Sequence, residues 1–177
     1  VAYRMQHDSL IEKKSDFQLE TRFGPFRLRT FQQTTNKQIH LALTKGSWKE
    51  DEPVLTRINS LRITNDILSM LTGQITKGLD DIFSLIDQAE KGAVIFINQQ
   101  QSSENLLSRI QKLEGMQQKG ELDKAPPIAM DSRDFGIGAQ ILHDLKIKKL
   151  NLISNSNKMP RVGITGYGLE IIKYVKY

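Results

Sequence analysis

Cysteine is absent from the 177-residue chain. That excludes disulfides, a thiolate-bound metal and a cysteine nucleophile, and it says nothing about compartment, since reducing and oxidising surroundings both tolerate it. Tryptophan occurs once, at Trp48, and aromatic residues make up only 7%. A surface dedicated to nucleic acid should interleave stacking rings with clustered cations, whereas the basic residues here are dispersed, so nucleic acid is disfavoured as a partner. His7, His40 and His143 fall on three separate segments with no paired spacing. Each therefore reads as a surface or locally hydrogen-bonded histidine rather than a metal ligand. No basic-plus-apolar leader and no run of 18 apolar residues is visible, so neither a secretory signal nor a membrane span is expected, and a cytoplasmic location is.

What is present fits one domain. A chain of this length buries roughly 70% of its unfolded surface without metal or disulfide staples. Hydrophobic residues make up 38% and charged residues 25%, and the net charge of +5 with a pI near 9.4 favours an anionic partner such as a nucleotide or an acidic protein surface.

Residues 1–16 are polar with no strong period and read as a tail or interdomain connector, with a short helix through Asp8–Lys14. Residues 17–177 then form the domain. Phe17–Thr21 and Phe26–Phe31 are strand candidates around a Phe23-Gly24-Pro25 turn. Ile39, Leu41 and Leu43 alternate with Gln38, His40 and Ala42, which makes a hairpin the economical reading. Gly46–Pro53 is a charged loop in which Trp48 covers one end of the sheet, with contact to a nucleobase or partner as the alternative, and Val54–Ile58 is the next strand. A helix capped by Asn65 or Asp66 runs through Leu68, Leu71, Ile75, Leu79, Ile82, Ile86 and Ala89, weakened at Gly73 and Gly78. Ala93–Ile97 is continuously apolar, as expected of a strand buried on both faces. A second helix from about Glu104 to Gln118 should bury Leu106, Leu107, Ile110 and Leu113. Pro126 and Pro127 keep Gly120–Met130 from being helical.

The stretch Asp131–Leu145, DSRDFGIGAQILHDL, places two acids and an arginine ahead of Gly136 and Gly138, then repeats Ile137, Ile141, Leu142 and Leu145 at helical spacing. It reads as a polar loop entering an amphipathic helix, followed by a strand at Lys149–Asn155. The first N–H groups of such a helix lack intrahelical partners, so the unit can aim carboxylate, guanidinium and amide groups at one ligand. Leu169–Val175 closes the chain as a strand. Helices alternating with apolar strands after an antiparallel-looking N-terminal half argue for a single layered α/β domain with a mixed β-sheet.

DSRDFGIGAQILHDL, with LISNSNK at Leu152–Lys158 and GYGLEI at Gly166–Ile171, resembles GTP cyclohydrolase II. AYR with DSLIEK near the start resembles the joint to a 3,4-dihydroxy-2-butanone 4-phosphate synthase domain in bifunctional riboflavin enzymes. The resemblance implies an upstream domain of that kind, a GTP cyclohydrolase II-like fold, a homodimer, and GTP or another phosphate compound as ligand. It further implies that Asp131 stands at the position of a proton acceptor and Arg133 at that of an arginine acting on the alpha-phosphorus. Gln99, Ser154 and Lys158 would be nucleotide contacts. Asp131 could orient or deprotonate a donor and Arg133 could pair with a phosphate.

The family's reaction opens the imidazole ring of GTP with a zinc-bound water, releasing formate and pyrophosphate. The zinc ligands are three cysteines in a stretch near HSECLTGDVFGSLRCDCG. The equivalent stretch here is NSLRITNDILSMLTGQIT at Asn59–Thr76, framed by Ser60, Thr64, Asp66 and Leu71. Arg62, Gly73 and Ile75 occupy the cysteine positions. None supplies a thiolate, and Arg62 would repel a cation. Near LRQEGRGIGL the chain reads INQQQSSENL, with Asn98 and Ser102 at two arginine positions. A tyrosine position is Leu113, and Met159 replaces a lysine that Lys158 could partly stand in for. No cofactor is expected, zinc and magnesium entering only if the family activity were retained.

The expectation is a domain that has lost the cyclohydrolase reaction, leaving Asp131 and Arg133 vestigial or residual, and that acts as a structural, regulatory or dimerisation module. An active cyclohydrolase and a nucleotide-sensing module remain as alternatives. In the plainest account Asp131 and Asp134 cap the helix, Arg133 forms a salt bridge, and the glycines allow a tight turn.

Overall fold

A computed structural model describes residues 9–61, 75–98, 103–121, 132–155 and 166–177. In chain order the elements are β1 (Ile11–Thr21), β2 (Gly24–Gln33), β3 (Ile39–Lys45), β4 (Pro53–Leu61), α1 (Ile75–Ala89), β5 (Gly92–Asn98), α2 (Ser103–Gln118), α3 (Ser132–Asp144), β6 (Lys149–Ile153) and β7 (Glu170–Val175). The seven strands form one sheet in the order β1-β2-β3-β5-β4-β6-β7. β1, β2 and β3 run antiparallel in sequence, and β3 lies antiparallel to β5. From β5 through β4 and β6 to β7 the strands are parallel. This is the expected α/β domain with a mixed sheet.

The period of two in the strands sorts the core onto the two faces. On one face Phe26, Leu43, Val94 and Ile153 pack with Ile82 and Ile86 of α1. On the other Phe31, Ala42, Ile95, Ile97 and Leu150 pack with Ile137, Ile141 and Leu142 of α3. Ala93 through Ile95 and Ile97 are all 0% exposed, as the continuously apolar run requires of a strand covered on both sides. Burial of each such aliphatic side chain contributes about 1.5–3 kcal/mol. The sheet is therefore sandwiched between α1 and α3.

Three expectations change. Residues 11–14 are strand, not helix. β1 is an edge strand whose Glu12, Lys13 and Lys14 are exposed, so its composition looks like a tail, and its pairing with β2 is what makes it regular. The buried stripe expected along α2 fails at Ile110, which is 45% exposed. Gly136 and Gly138 do not make a turn but lie inside α3. A Cβ on Gly138 would stand 3.2 Å from Ile97 Cδ1 and 3.9 Å from Ile58 Cγ2, so the missing side chain lets the helix approach the sheet closely. The expected cap at Asn65 or Asp66 and the Gly120–Met130 connector past Glu121 lie outside the described residues.

The topology marks one end of the sheet as the favoured place for a ligand. β4 is flanked by β5 on one side and β6 on the other, both parallel to it. The chain leaves β4 through α1 to β5, then crosses through α3 to β6. Strand order reverses at β4; Leu61 lies opposite Asn98 where β4 and β5 end, while β6 ends lower, at Ile153, one residue past the Thr56–Leu152 pair and so level with Arg57. In parallel sheets the crevice at such a reversal is the favoured ligand position.

Candidate functional site at the strand C-termini

The chain leaves β6 at Ser154, which is buried and whose N–H donates to the Val175 carbonyl at 2.8 Å. Of the residues singled out from sequence, Ser154 is therefore placed at the edge where the strand order reverses. Arg133 belongs to the first turn of α3, whose C-terminal end leads directly into β6 at the opposite edge; its helix therefore begins on the Ser154 side of the sheet. Asp131, Gln99 and Lys158 lie outside the described residues, as do Arg62 and Gly73, and Ile75 opens α1.

Sequence reading overlooked Arg57. It sits on β4 with its Nη1 donating to the Ile153 carbonyl at 2.9 Å and its guanidinium carbon 5.1 Å from the Tyr177 ring centre. Its Nε is buried without a hydrogen-bond partner. Burial pushes the guanidinium below its ordinary pKa range, while Tyr177 acts in the opposite direction. Tyr177 is held in turn by its N–H donating to Asn155 Oδ1 at 3.0 Å, and its ring lies against Gly78 of α1. A charged residue in an apolar stretch of strand was the available signal, since a cation in VLTRI has to find polar company when the strand is buried.

On the α3 face the edge is braced by His40, 0% exposed. Its Nδ1 accepts the Asn98 N–H at 3.0 Å and its Nε2 stands 3.2 Å from Gln33 Oε1. His143 is exposed on α3 and its Nε2 donates to the Tyr167 carbonyl at 2.8 Å. Both histidines are thus locally hydrogen-bonded, as their isolated positions in the sequence predict. Among the described residues no group of three or more His, Cys, Asp or Glu side chains could hold a metal.

Trp48 works at the opposite edge. Its Nε1 donates to the Leu145 carbonyl at 3.0 Å and its ring packs on the α3-side core, as a cover for the end of the sheet. Beside it lies an open cleft of about 170 Å³ lined by Trp48, Glu52, Lys91 and Asn151 among others. The Glu52–Lys91 ion pair, 3.0 Å long, spans part of that cleft. It lies at the start of β4 and β6, away from the strand C-termini.

Among the described residues no helix is long and apolar enough to cross a membrane. The family model for GTP cyclohydrolase II matches residues 12–176. The chain is 37% identical over 179 residues to a riboflavin biosynthesis protein RibBA of Cytophaga hutchinsonii, covering 99% of this chain and 44% of that protein. A RibBA of Aquifex aeolicus is 32% identical over 180 residues, with 99% and 44% covered. This chain thus spans less than half the length of these relatives. The crystal structure of RibBX, a two-domain 3,4-dihydroxy-2-butanone 4-phosphate synthase from A. baumannii, superposes with a TM-score of 0.60 at 21% identity, covering 98% of this chain and 43% of that one, which shows a shared fold. The match along nearly its whole length, on a mixed sheet whose order reverses at β4, makes the chain a member of the GTP cyclohydrolase II family.

Proposed function

We propose that this domain is a member of the family that has kept the ligand edge and lost the metal-dependent ring opening, serving in riboflavin biosynthesis beside a 3,4-dihydroxy-2-butanone 4-phosphate synthase domain. One observation carries the reading: the positions where the resemblance places three zinc-binding cysteines hold Arg62, Gly73 and Ile75, in a chain with no cysteine. A guanidinium, a hydrogen and an alkyl group offer no lone pair to a metal. Zinc therefore does not fit this residue set, and no step is assigned to it.

The relatives support the setting. The chain covers 44% of the RibBA proteins, leaving room in them for a second domain, and the fold relative RibBX is a two-domain 3,4-dihydroxy-2-butanone 4-phosphate synthase. A homodimer belongs to the same proposal, and a concentration-independent monomer in sedimentation velocity would remove it.

A second reading, a nucleotide-sensing module, is favoured by Arg57. An arginine held by a carbonyl and an aromatic ring, with Nε idle, stands in the middle of β4, level with Ile153 where β6 ends and Ser154 leaves the sheet. Asp131, Arg133, Gln99 and Lys158 would complete the contacts to GTP or a related phosphate compound.

Calorimetry of GTP with magnesium, metal analysis and a formate assay on one sample separate these readings. The degenerate module gives no zinc and no formate. Saturable heat in addition supports sensing, and formate released in a GTP-dependent way would overturn the loss of reaction.

A further inference from the structure

We propose that His40 is a positioning residue for the ligand edge, its imidazole holding the backbone amide of Asn98 and so fixing the end of β5. The inference rests on the reading of that edge as a nucleotide site.

The register shows why a side chain is needed. The β3–β5 ladder runs from Lys45–Gly92 to Leu41–Phe96 and stops there. Continuing the same register would set His40 opposite Ile97 and then Ile39 opposite Asn98, and neither pairing is made. Instead Nδ1 of His40 takes the Asn98 N–H at 3.0 Å, so the imidazole supplies the acceptor that β3 withholds. An Nδ1 that accepts carries no proton, and the neutral ring therefore bears its hydrogen on Nε2, facing Gln33 Oε1 at 3.2 Å.

Gln33 is itself held on several sides. Its N–H donates to the Gln38 carbonyl at 2.8 Å, its carbonyl accepts from the Lys37 N–H at 3.0 Å, and its side-chain amide donates to Thr35 Oγ1 at 2.9 Å. The turn between β2 and β3 is thereby coupled through two side chains to the end of β5. His40 is fully buried opposite Phe31 and Asn98 is half-buried, so without the imidazole acceptor the Asn98 amide would move or turn to solvent. Residue 98 is the last of β5, and Gln99, read from sequence as a ligand contact, follows it directly.

Two conservative variants separate positioning from packing. In His40→Asn the side-chain oxygen falls near the place of Nδ1 and can still accept from Asn98; in His40→Gln the amide falls near Nε2 and can reach only Gln33. Exchange of the Asn98 amide by NMR, the dissociation constant for GTP by calorimetry, and the Tm are measured on the wild type and both variants. The expected result is a Tm lowered in both, with Asn98 exchange accelerated and GTP binding weakened about tenfold only in His40→Gln. Equal exchange and equal affinity in the two variants would overturn the proposal. If the wild type gives no heat with GTP, the nucleotide reading falls, and the amide-exchange contrast alone decides the role of His40.

Discussion

The guanidinium of Arg57 stacks 5.1 Å from the centre of the Tyr177 ring, joining the middle of the sheet to the segment that follows β7. Among the described residues no carboxylate pairs with it, and its Nε is unpartnered. An arginine so placed gives up hydration for one carbonyl, one aromatic face and the Tyr177 hydroxyl. Tyr177→Ala should therefore cost about 2 kcal/mol, from lost ring burial and a cation–π contact of about 1 kcal/mol, and Tyr177→Phe should recover the ring's share but not the hydroxyl's. Arg57→Met should change stability by less than about 1 kcal/mol, since removing an uncompensated charge offsets the lost contacts. Urea unfolding reads both, and a loss above about 3 kcal/mol for Arg57→Met would mean that the cation has a strong partner.

His40 makes stability depend on mildly acidic pH. Burial lowers its pKa from 6.5 to about 4, so the folded state favours the neutral ring. Between those values the unfolded chain binds more protons, and stability falls as pH falls. The contribution is fully present above 6.5, is lost progressively down to about 4, and amounts to about 3 kcal/mol at most. Urea midpoints at pH 7, 5.5 and 4.5 for wild type and His40→Asn should differ in slope over this window, the variant being flatter. Parallel slopes would show that His40 titrates normally.

How far these groups were legible differs by element. Alternation in Phe26–Phe31 and Ile39–Leu43 predicted the faces that Phe26, Phe31, Ala42 and Leu43 occupy, because one-sided burial writes a period of two into the chain. β1 was not legible over Ile11–Asp16: at an edge, charges are tolerated on both faces and order comes from pairing with β2, which no local window contains. Ile110 failed for the converse reason, since an apolar residue at helical spacing does not name a partner. At the site, Ser154 is nominated by the resemblance and stands at the end of β6, whereas Arg57 and the His40–Asn98 contact are not legible because both depend on which strands become neighbours. Gly138 reads as a turn residue in the sequence, whereas in the structure it lies inside α3 and lets the helix pack closely against Ile97.

Two glycines predict opposite responses to alanine. A Cβ on Gly92 would meet the Leu55 carbonyl oxygen at 2.8 Å and Ile86 at 2.9 Å, backbone and buried core that cannot both yield. Gly92→Ala should destabilise by about 2 kcal/mol or more. Gly115, inside α2, has nothing within 4 Å of its would-be Cβ, so Gly115→Ala should gain about 0.5–1 kcal/mol from helix propensity alone. Thermal unfolding decides, and a destabilised Gly115→Ala would show that this face of α2 is packed rather than open.

The lost metal site can be tested by restoring it. If Arg62, Gly73 and Ile75 stand at the cysteine positions, the triple variant Arg62→Cys, Gly73→Cys, Ile75→Cys provides three thiolates, and with water they complete a tetrahedral zinc site. Purified with zinc and dialysed, it should retain about one zinc per chain, while the wild type, treated identically, retains none above background and keeps its Tm after chelator. Formate release from GTP should stay absent in the variant, because Asn98 and Ser102 still stand where guanidinium groups would bind the triphosphate, and neutral side chains do not replace bidentate charged contacts. A variant that binds no zinc would show that the alignment of Asn59–Thr76 is in the wrong frame. One that binds zinc and releases formate would show that the thiolates alone had been missing, and that the changes after β5 arose without loss of the reaction.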